Sequence, residues 1–269
     1  MGRIEDKFEA LKERGEKALI VYLTAGYPSL DATQEMVLAL DKAGVDIVEL
    51  GVPFSDPTAD GPIIQSASQR ALKEGTTLEK VLALVSELRR NSKIPIVLFG
   101  YYNPIFSYGN ERFSRRAAEA GIDGVLVVDL PLEEAFELRR FSDPLGIKQI
   151  SLVAPTTGRD RIRQIAASAS GFLYLVSITG VTGTQKPAVE EIREEMEEIR
   201  KCSSLPTVIG FGISTPAQAT EIASLGDGIV VGSAFMKEID EGHRNNNLIE
   251  RISSYATNLR IAINSKNRL

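Results

Sequence analysis

Eight short β-branched runs, each followed by an amphipathic helical stretch, repeat along a chain of 269 residues. The runs are nearly continuously apolar, the pattern of parallel strands covered on both faces. No proline- or serine-rich linker interrupts the series, so residues 1–269 read as one domain. Together these observations predict an α/β fold, a single-domain (β/α)8 TIM barrel with an extra N-terminal helix. A doubly wound open sheet is the alternative arrangement of the same elements.

The elements follow in order. A helix over about 3–14 precedes the first strand, "ALIVYLTAG" (18–26). The helical pattern "SLDATQEMVLALDKAG" leads to the second strand, "VDIVELGVPF" (45–54), after which Pro62 favours a helix start. "IPIVLFGYYN" (94–103), "GVLVVDLP" (124–131) and "KQISLVAP" (148–155) are the third to fifth strands. "GFLYLVSITG" (171–180) precedes the strongly charged helix "KPAVEEIREEMEEIRKC". "LPTVIGFGIS" (205–214) and "GIVVGSAFM" (228–236) complete the set, and a helix over about 246–264 ends the series.

Composition narrows the chemistry. Net charge is −5 with no basic block, which argues against nucleic acid as a partner. The apolar runs are strand-length, too short to span a membrane, and the first residues carry no apolar signal core; a cytoplasmic protein is expected. One cysteine, Cys202, allows neither an internal disulfide nor a cysteine metal cluster, and one histidine, His243, all but excludes a triad or a histidine-rich metal site. Any chemistry must come from carboxylates, tyrosines, hydroxyls and backbone, with no cofactor or metal expected.

The carboxylates concentrate in "VELGVPFSDPTADGPII" (48–64). On the second strand Val45, Ile47, Glu49 and Gly51 share one face, while Val48 and Leu50 share the other and suit a helix-covered side. Glu49 then points into the barrel near its upper rim, and no other strand carries an inward Lys or Arg at that end to pair with it. A carboxyl desolvated there has a raised pKa and can move protons near neutrality. Asp56 reads as a loop residue. Asp60, beyond a loop stiffened by Pro53 and Pro57, is either a helix cap or a second functional acid. Asp129, ending the fourth strand, is a rival acid or, preferably, a cap for the helix in "PLEEAFELRR".

Glycine-rich turns end the last three strands: "SITGVTGTQ", "GFGIS" and "VGSAF". Glycine lets backbone approach a ligand, and free N–H groups at a helix start bind anions. In this barrel the last two strand ends commonly form a phosphate site, so Gly212, Gly232 and Ser233 are candidates and a phosphate ester is the expected substrate class.

"VELGVPFSDPTADGP", with "YLTAG", "YYNPIF", "VVDLP", "YLVSITGVTG", "GFGIS" and "VVGSAF" in order, resembles the tryptophan synthase alpha chain family across essentially the whole chain. The resemblance implies a (β/α)8 barrel that cleaves indole-3-glycerol phosphate by a retro-aldol reaction, giving indole and glyceraldehyde 3-phosphate. It places the two catalytic carboxylates at Glu49 and Asp60, and phosphate binding at Gly183, Gly212, Gly232 and Ser233. Tyr174 becomes the active-site tyrosine, Tyr22, Phe99, Leu126 and Phe211 the indole pocket, and Thr182 a link between loop closure and Asp60. Thr58 stands where the family usually has an aliphatic residue, and Ile178 where some relatives carry arginine. The resemblance further implies a pyridoxal-phosphate β chain as partner in an α2β2 tetramer, receiving indole directly; Asn103, Pro104 and Phe106 are the candidate contact. Segments 53–61 and 179–188 are expected to move. A free-standing lyase, another phosphosugar-processing barrel, or a non-catalytic barrel that activates a partner are the competing readings.

Overall fold

A computed structural model describes residues 2–154, 156–176, 189–210 and 212–265. Nine strands, all parallel, form its sheet: β1 (Ala18–Thr24), β2 (Ile47–Gly51), β3 (Ile96–Gly100), β4 (Gly124–Val127), β5 (Lys148–Gln149), β6 (Ser151–Val153), β7 (Leu173–Val176), β8 (Thr207–Gly210) and β9 (Gly228–Val231). Their order is β5-β4-β3-β2-β1-β9-β8-β7-β6. The two ends of that order are consecutive in the chain, so the sheet curls into a barrel and the open-sheet alternative falls away.

The expected fifth strand is therefore two pieces. Lys148 and Ile150 donate to the carbonyls of Asp123 and Val125 on the β4 side, at 2.9 Å each. Gln149 instead donates to the Ser170 hydroxyl at 2.8 Å, after which β6 pairs with β7.

Helices wrap the outside: α1 (Arg3–Glu13), α2 (Leu30–Lys42), α3 (Pro62–Lys73), α4 (Leu78–Leu88), α5 (Tyr102–Tyr108), α6 (Asn110–Ala120), α7 (Phe136–Ser142), α8 (Arg159–Ser168), α9 (Val189–Cys202), α10 (Pro216–Ala223), α11 (Ser233–Arg244) and α12 (Leu248–Asn264). The second and third strands are each followed by two helices rather than one. Local chemistry sets several starts. Ser29 and Thr77 accept from the exposed amides of α2 and α4, and Thr215 with Gln218 forms a reciprocal capping box on α10.

Two apolar layers follow from strand parity. The outward set, including Val48, Leu50, Leu98 and Val125, packs against helices. The inward set is a separate cluster of Ile20, Ile47, Val97, Leu126, Ile150, Val208 and Val230. Ile4, Phe8 and Leu11 of α1 belong to that inner cluster, and the Phe8 ring lies 5.7 Å from Phe172. The extra helix is thus a stopper for the barrel's N-terminal end, which leaves the opposite mouth as the open one.

Candidate active site

Glu49 lies one inward step beyond Ile47 toward the open mouth, as the parity of β2 requires. It is 1% exposed, and its Oε1 has no hydrogen-bond partner among the described residues. The inward cation that would make it a structural ion pair is not present among those residues. Burial alone pushes its carboxyl up to about 8, because charge is poorly solvated between apolar strands. The group is held protonated at neutrality.

Tyrosines flank it. Tyr22 on β1 pairs in register with Glu49, and its ring meets Phe99 of β3 edge-on at 5.2 Å. Tyr174 on β7 is half-buried, with its phenol pushed well above the usual range by desolvation and then by the Glu49 charge. Each ring leans across a glycine on the neighbouring strand. A Cβ at Gly51 would fall 2.8 Å from Tyr22 Cε2, and one at Gly210 would fall 2.7 Å from Tyr174 Cζ. Glycine is required at both positions for the tyrosines to lie over Glu49's floor. Leu126, 1% exposed, packs in the same inner cluster as Tyr174 and Phe99.

Asp60 is half-buried in the loop after β2. The helix-cap reading fails: Gly61 occupies the N-cap of α3, and no side chain caps that helix. Burial raises the Asp60 carboxyl to about 6, offset in part by a hydrogen bond from Tyr101. Burial makes it a weaker acid than an ordinary aspartate, yet still chiefly ionised at pH 7. Tyr101 was not singled out as a site residue. Its hydroxyl accepts from Ala59 N at 2.9 Å, and its ring packs on Phe54 with centroids 5.3 Å apart. Gln65 donates to the Asp60 carbonyl at 2.9 Å. The loop expected to move is thus tied beside Asp60 on both sides. Tyr22 senses the charges of both Asp60 and Glu49, which places its hydroxyl near the two acids.

Asp129 is a cap, but for a different helix than expected. Its Oδ1 accepts from Tyr102 N at 2.7 Å, closing the start of α5 rather than the helix after its own strand. That later helix starts only at Phe136 and has no side-chain cap. Chain order suggested the local partner; the barrel brings the end of β4 beside the end of β3.

Gly232 is the N-cap of α11, and no side chain caps that helix, so its first amides are open to an anion. The Ser233 hydroxyl lies 4.0 Å from where a Gly61 Cβ would sit, which brings the phosphate candidates to the loop carrying Asp60. Gly212 has φ +51°, a left-handed conformation, and open space where a Cβ would project. Thr182, Gly183, Phe211 and Ile178 lie outside the described residues, as does the segment 179–188. Gly212→Val should lower affinity for glycerol phosphate at least tenfold. A β-branched side chain is strained at that φ by about 1–2 kcal/mol and would fill the opening. Calorimetric titration checks it, and unchanged affinity would move the phosphate site elsewhere.

The arrangement therefore joins a protonated, buried acid, an ionised half-buried one, an aromatic pocket and an uncapped helix start at one barrel mouth. Among the described residues no group of histidine, cysteine and carboxylate side chains could hold a metal ion. The family model for the tryptophan synthase alpha chain matches residues 8–264. The chain is 51% identical over 260 residues to the tryptophan synthase alpha chain of Geobacter sp. (strain M21), covering 97% of each. With that of Geotalea daltonii it shares 52% over 241 residues, 90% of this chain and 91% of the relative. Its backbone matches the crystal structure of tryptophan synthase subunit alpha from Legionella pneumophila with a TM-score of 0.92 at 37% identity, covering 98% and 99% of the two chains. A chain of the aminoacrylate-bound tryptophan synthase of M. tuberculosis matches at 0.88 and 31%, covering 98% of this chain and 100% of that one. The chain belongs to the tryptophan synthase alpha chain family.

Proposed function

We propose that Glu49 and Asp60 carry out the family's lyase reaction in this chain, the retro-aldol cleavage of indole-3-glycerol phosphate. The observation that carries this assignment is the contrast between two acids at one mouth, one held protonated and one ionised. Protonated Glu49 delivers its proton to C3 of the indole, and the ring becomes a cationic indolenine. Ionised Asp60 faces the ring N–H and stabilises that positive charge. Glu49, now a carboxylate, takes the proton from the C3′ hydroxyl. The C3–C3′ bond then breaks, its electron pair returns to the ring, and indole and glyceraldehyde 3-phosphate separate. Glu49 ends protonated, ready for another cycle. Tyr22, Phe99, Leu126 and Tyr174 would hold the indole, while Gly212, Gly232 and Ser233 would hold the phosphate; Gly183, Phe211 and Thr182 would complete these contacts. Indole release from indole-3-glycerol phosphate by the purified chain, with and without a β chain, tests the proposal. No release under either condition would overturn it.

Membership of the family implies a β-chain partner. An α2β2 tetramer working in the cytoplasm, with indole passed directly between subunits, is the assembly proposed. No described helix is long and apolar enough to cross a membrane, and a single cysteine suits a reducing compartment. At the mouth, Phe106 of α5 is 61% exposed and its ring lies tilted against Tyr102 with centroids 5.8 Å apart, an aromatic anchor of the kind interfaces bury. Phe106→Asp should weaken β association at least tenfold while leaving the isolated chain's indole release within twofold. Sedimentation of the mixed subunits reads the first and the release assay the second; undiminished association would remove Phe106 from the contact.

A further inference from the structure

A cavity of about 320 Å³ lies between α3 and α11, against Tyr27 in the turn that follows β1. That volume is at the lower end of small-molecule sites, which run to ~300–1,000 Å³. Most of its lining surface is apolar. The buried Tyr27, Ala67 and Met236 form its floor. Pro62 and Ile63, with the aliphatic stems of the cationic side chains, form its walls. None of these residues belongs to the acid pair, the aromatic pocket or the phosphate candidates.

Charge around the cavity is unbalanced. Arg70, Lys237 and Arg244 line it, and among the described residues Asp240 is the only carboxylate beside them. Both Asp240 oxygens are engaged. Oδ1 accepts from the Tyr27 hydroxyl at 2.5 Å and from Arg70 Nη1 at 3.2 Å, while Oδ2 accepts from Arg244. Arg70 Nη1 also donates to the Tyr27 hydroxyl at 2.8 Å, and the guanidinium carbon lies 5.5 Å from that ring's centroid. Two guanidinium groups thus share one carboxylate, and each keeps further N–H donors. The Lys237 ammonium has no hydrogen bond or ion pair among the described residues. Its acidic neighbours on α11, Glu238 and Glu241, are held by Arg251.

This combination asks for an anionic head on an apolar body. Side chains supply every cation, and no glycine-rich turn lines the cavity, so a carboxylate suits it better than a phosphate. Its plane matches the guanidinium fork. We propose that the cavity between α3 and α11 binds a small amphipathic carboxylate, with its head among Arg70, Lys237 and Arg244 and its body over Ile63, Ala67 and Met236. The site does not rest on the lyase reading. Pro62 lies two residues past Asp60 and α11 starts at Ser233, so the occupant sits between the two helices that begin at the mouth.

3-Phenylpropionate is the probe, compared with its neutral isostere 3-phenylpropionamide. Of the four methionines only Met236 lines the cavity, so isotope-labelled methionine methyl groups follow the site by NMR, with Met236→Leu identifying the signal. The full chain is used with excess non-cleavable indole-alkyl phosphate, which keeps the probe from the mouth. The acid should shift the Met236 signal and bind at about one equivalent by calorimetry, and the amide should bind about tenfold more weakly. Lys237→Gln combined with Arg244→Gln changes two exposed side chains. It should lower the acid's affinity to that of the amide while indole release stays within twofold of the parent. An unmoved Met236 signal overturns the proposal, as does equal affinity for acid and amide. Displacement of the acid by the indole-alkyl phosphate would place it at the mouth and overturn the proposal too. The lyase reading is tested separately, by indole release from the parent.

Discussion

Glu49→Gln should lose indole release by about three orders of magnitude, the scale of a general acid–base group, and should at the same time stabilise the fold at alkaline pH. The first effect follows from chemistry: glutamine neither delivers a proton to C3 nor removes one from the C3′ hydroxyl. The second follows from linkage. The Glu49 carboxyl goes from about 4.5 in an unfolded chain to about 8 in the barrel. Below the lower value it is protonated in both states, and its raised affinity for the proton carries no penalty. As pH rises through the interval, the unfolded chain ionises while the folded chain keeps its proton, so stability falls. At about 1.36 kcal/mol per pKa unit the loss approaches about 5 kcal/mol and levels off above pH 8. Glutamine has no such titration. Urea unfolding of parent and variant should coincide near pH 4 and separate progressively toward pH 8, with the variant more stable. Parallel curves across that range would mean that a partner stabilises the Glu49 carboxylate, and near-normal turnover would remove it from the reaction.

Asp60→Asn should lower turnover by about 10²- to 10³-fold, because an amide cannot neutralise the charge that develops on the indole nitrogen. Its signature is in the pH profile. Activity needs Asp60 ionised and Glu49 protonated, so kcat/KM of the parent should rise through about pH 6 and fall through about pH 8. The residual activity of Asp60→Asn should lack the acid limb and keep the alkaline one. Tyr101→Phe removes the hydrogen bond that favours the Asp60 carboxylate, so its acid limb should move to higher pH with Asp60 itself intact. An acid limb that stays in place in Asp60→Asn would assign it to another group.

Parts of this site were readable in residue order because they depend on short-range geometry. The period of two along β2 sets Val48 and Leu50 against helices and Glu49 inside, whatever the rest of the fold does. Asp60 was ambiguous for the opposite reason. A carboxylate just ahead of Pro62 has the spacing of a cap, and only the position of Tyr101, brought from the end of β3, shows which role burial favours. Asp129 was read as a cap of its own helix because sequence weighs near neighbours first; the adjacent strand end supplied a nearer amide.

By itself, then, the sequence determined the repeating strand–helix pattern, the inward placement of Glu49, the glycine-rich strand ends and, through its motifs, the family. Those features are local, set by side-chain alternation, backbone freedom and helix-start chemistry. The tertiary structure decided what depends on distance across the barrel. It made α1 the stopper of the closed end and seated Tyr22 and Tyr174 over glycines of neighbouring strands. It raised Asp60 by burial and split the expected fifth strand into two pieces that pair on opposite sides. Desolvation and close approach arise only when segments far apart in the chain are packed together, and no spacing along one strand encodes them.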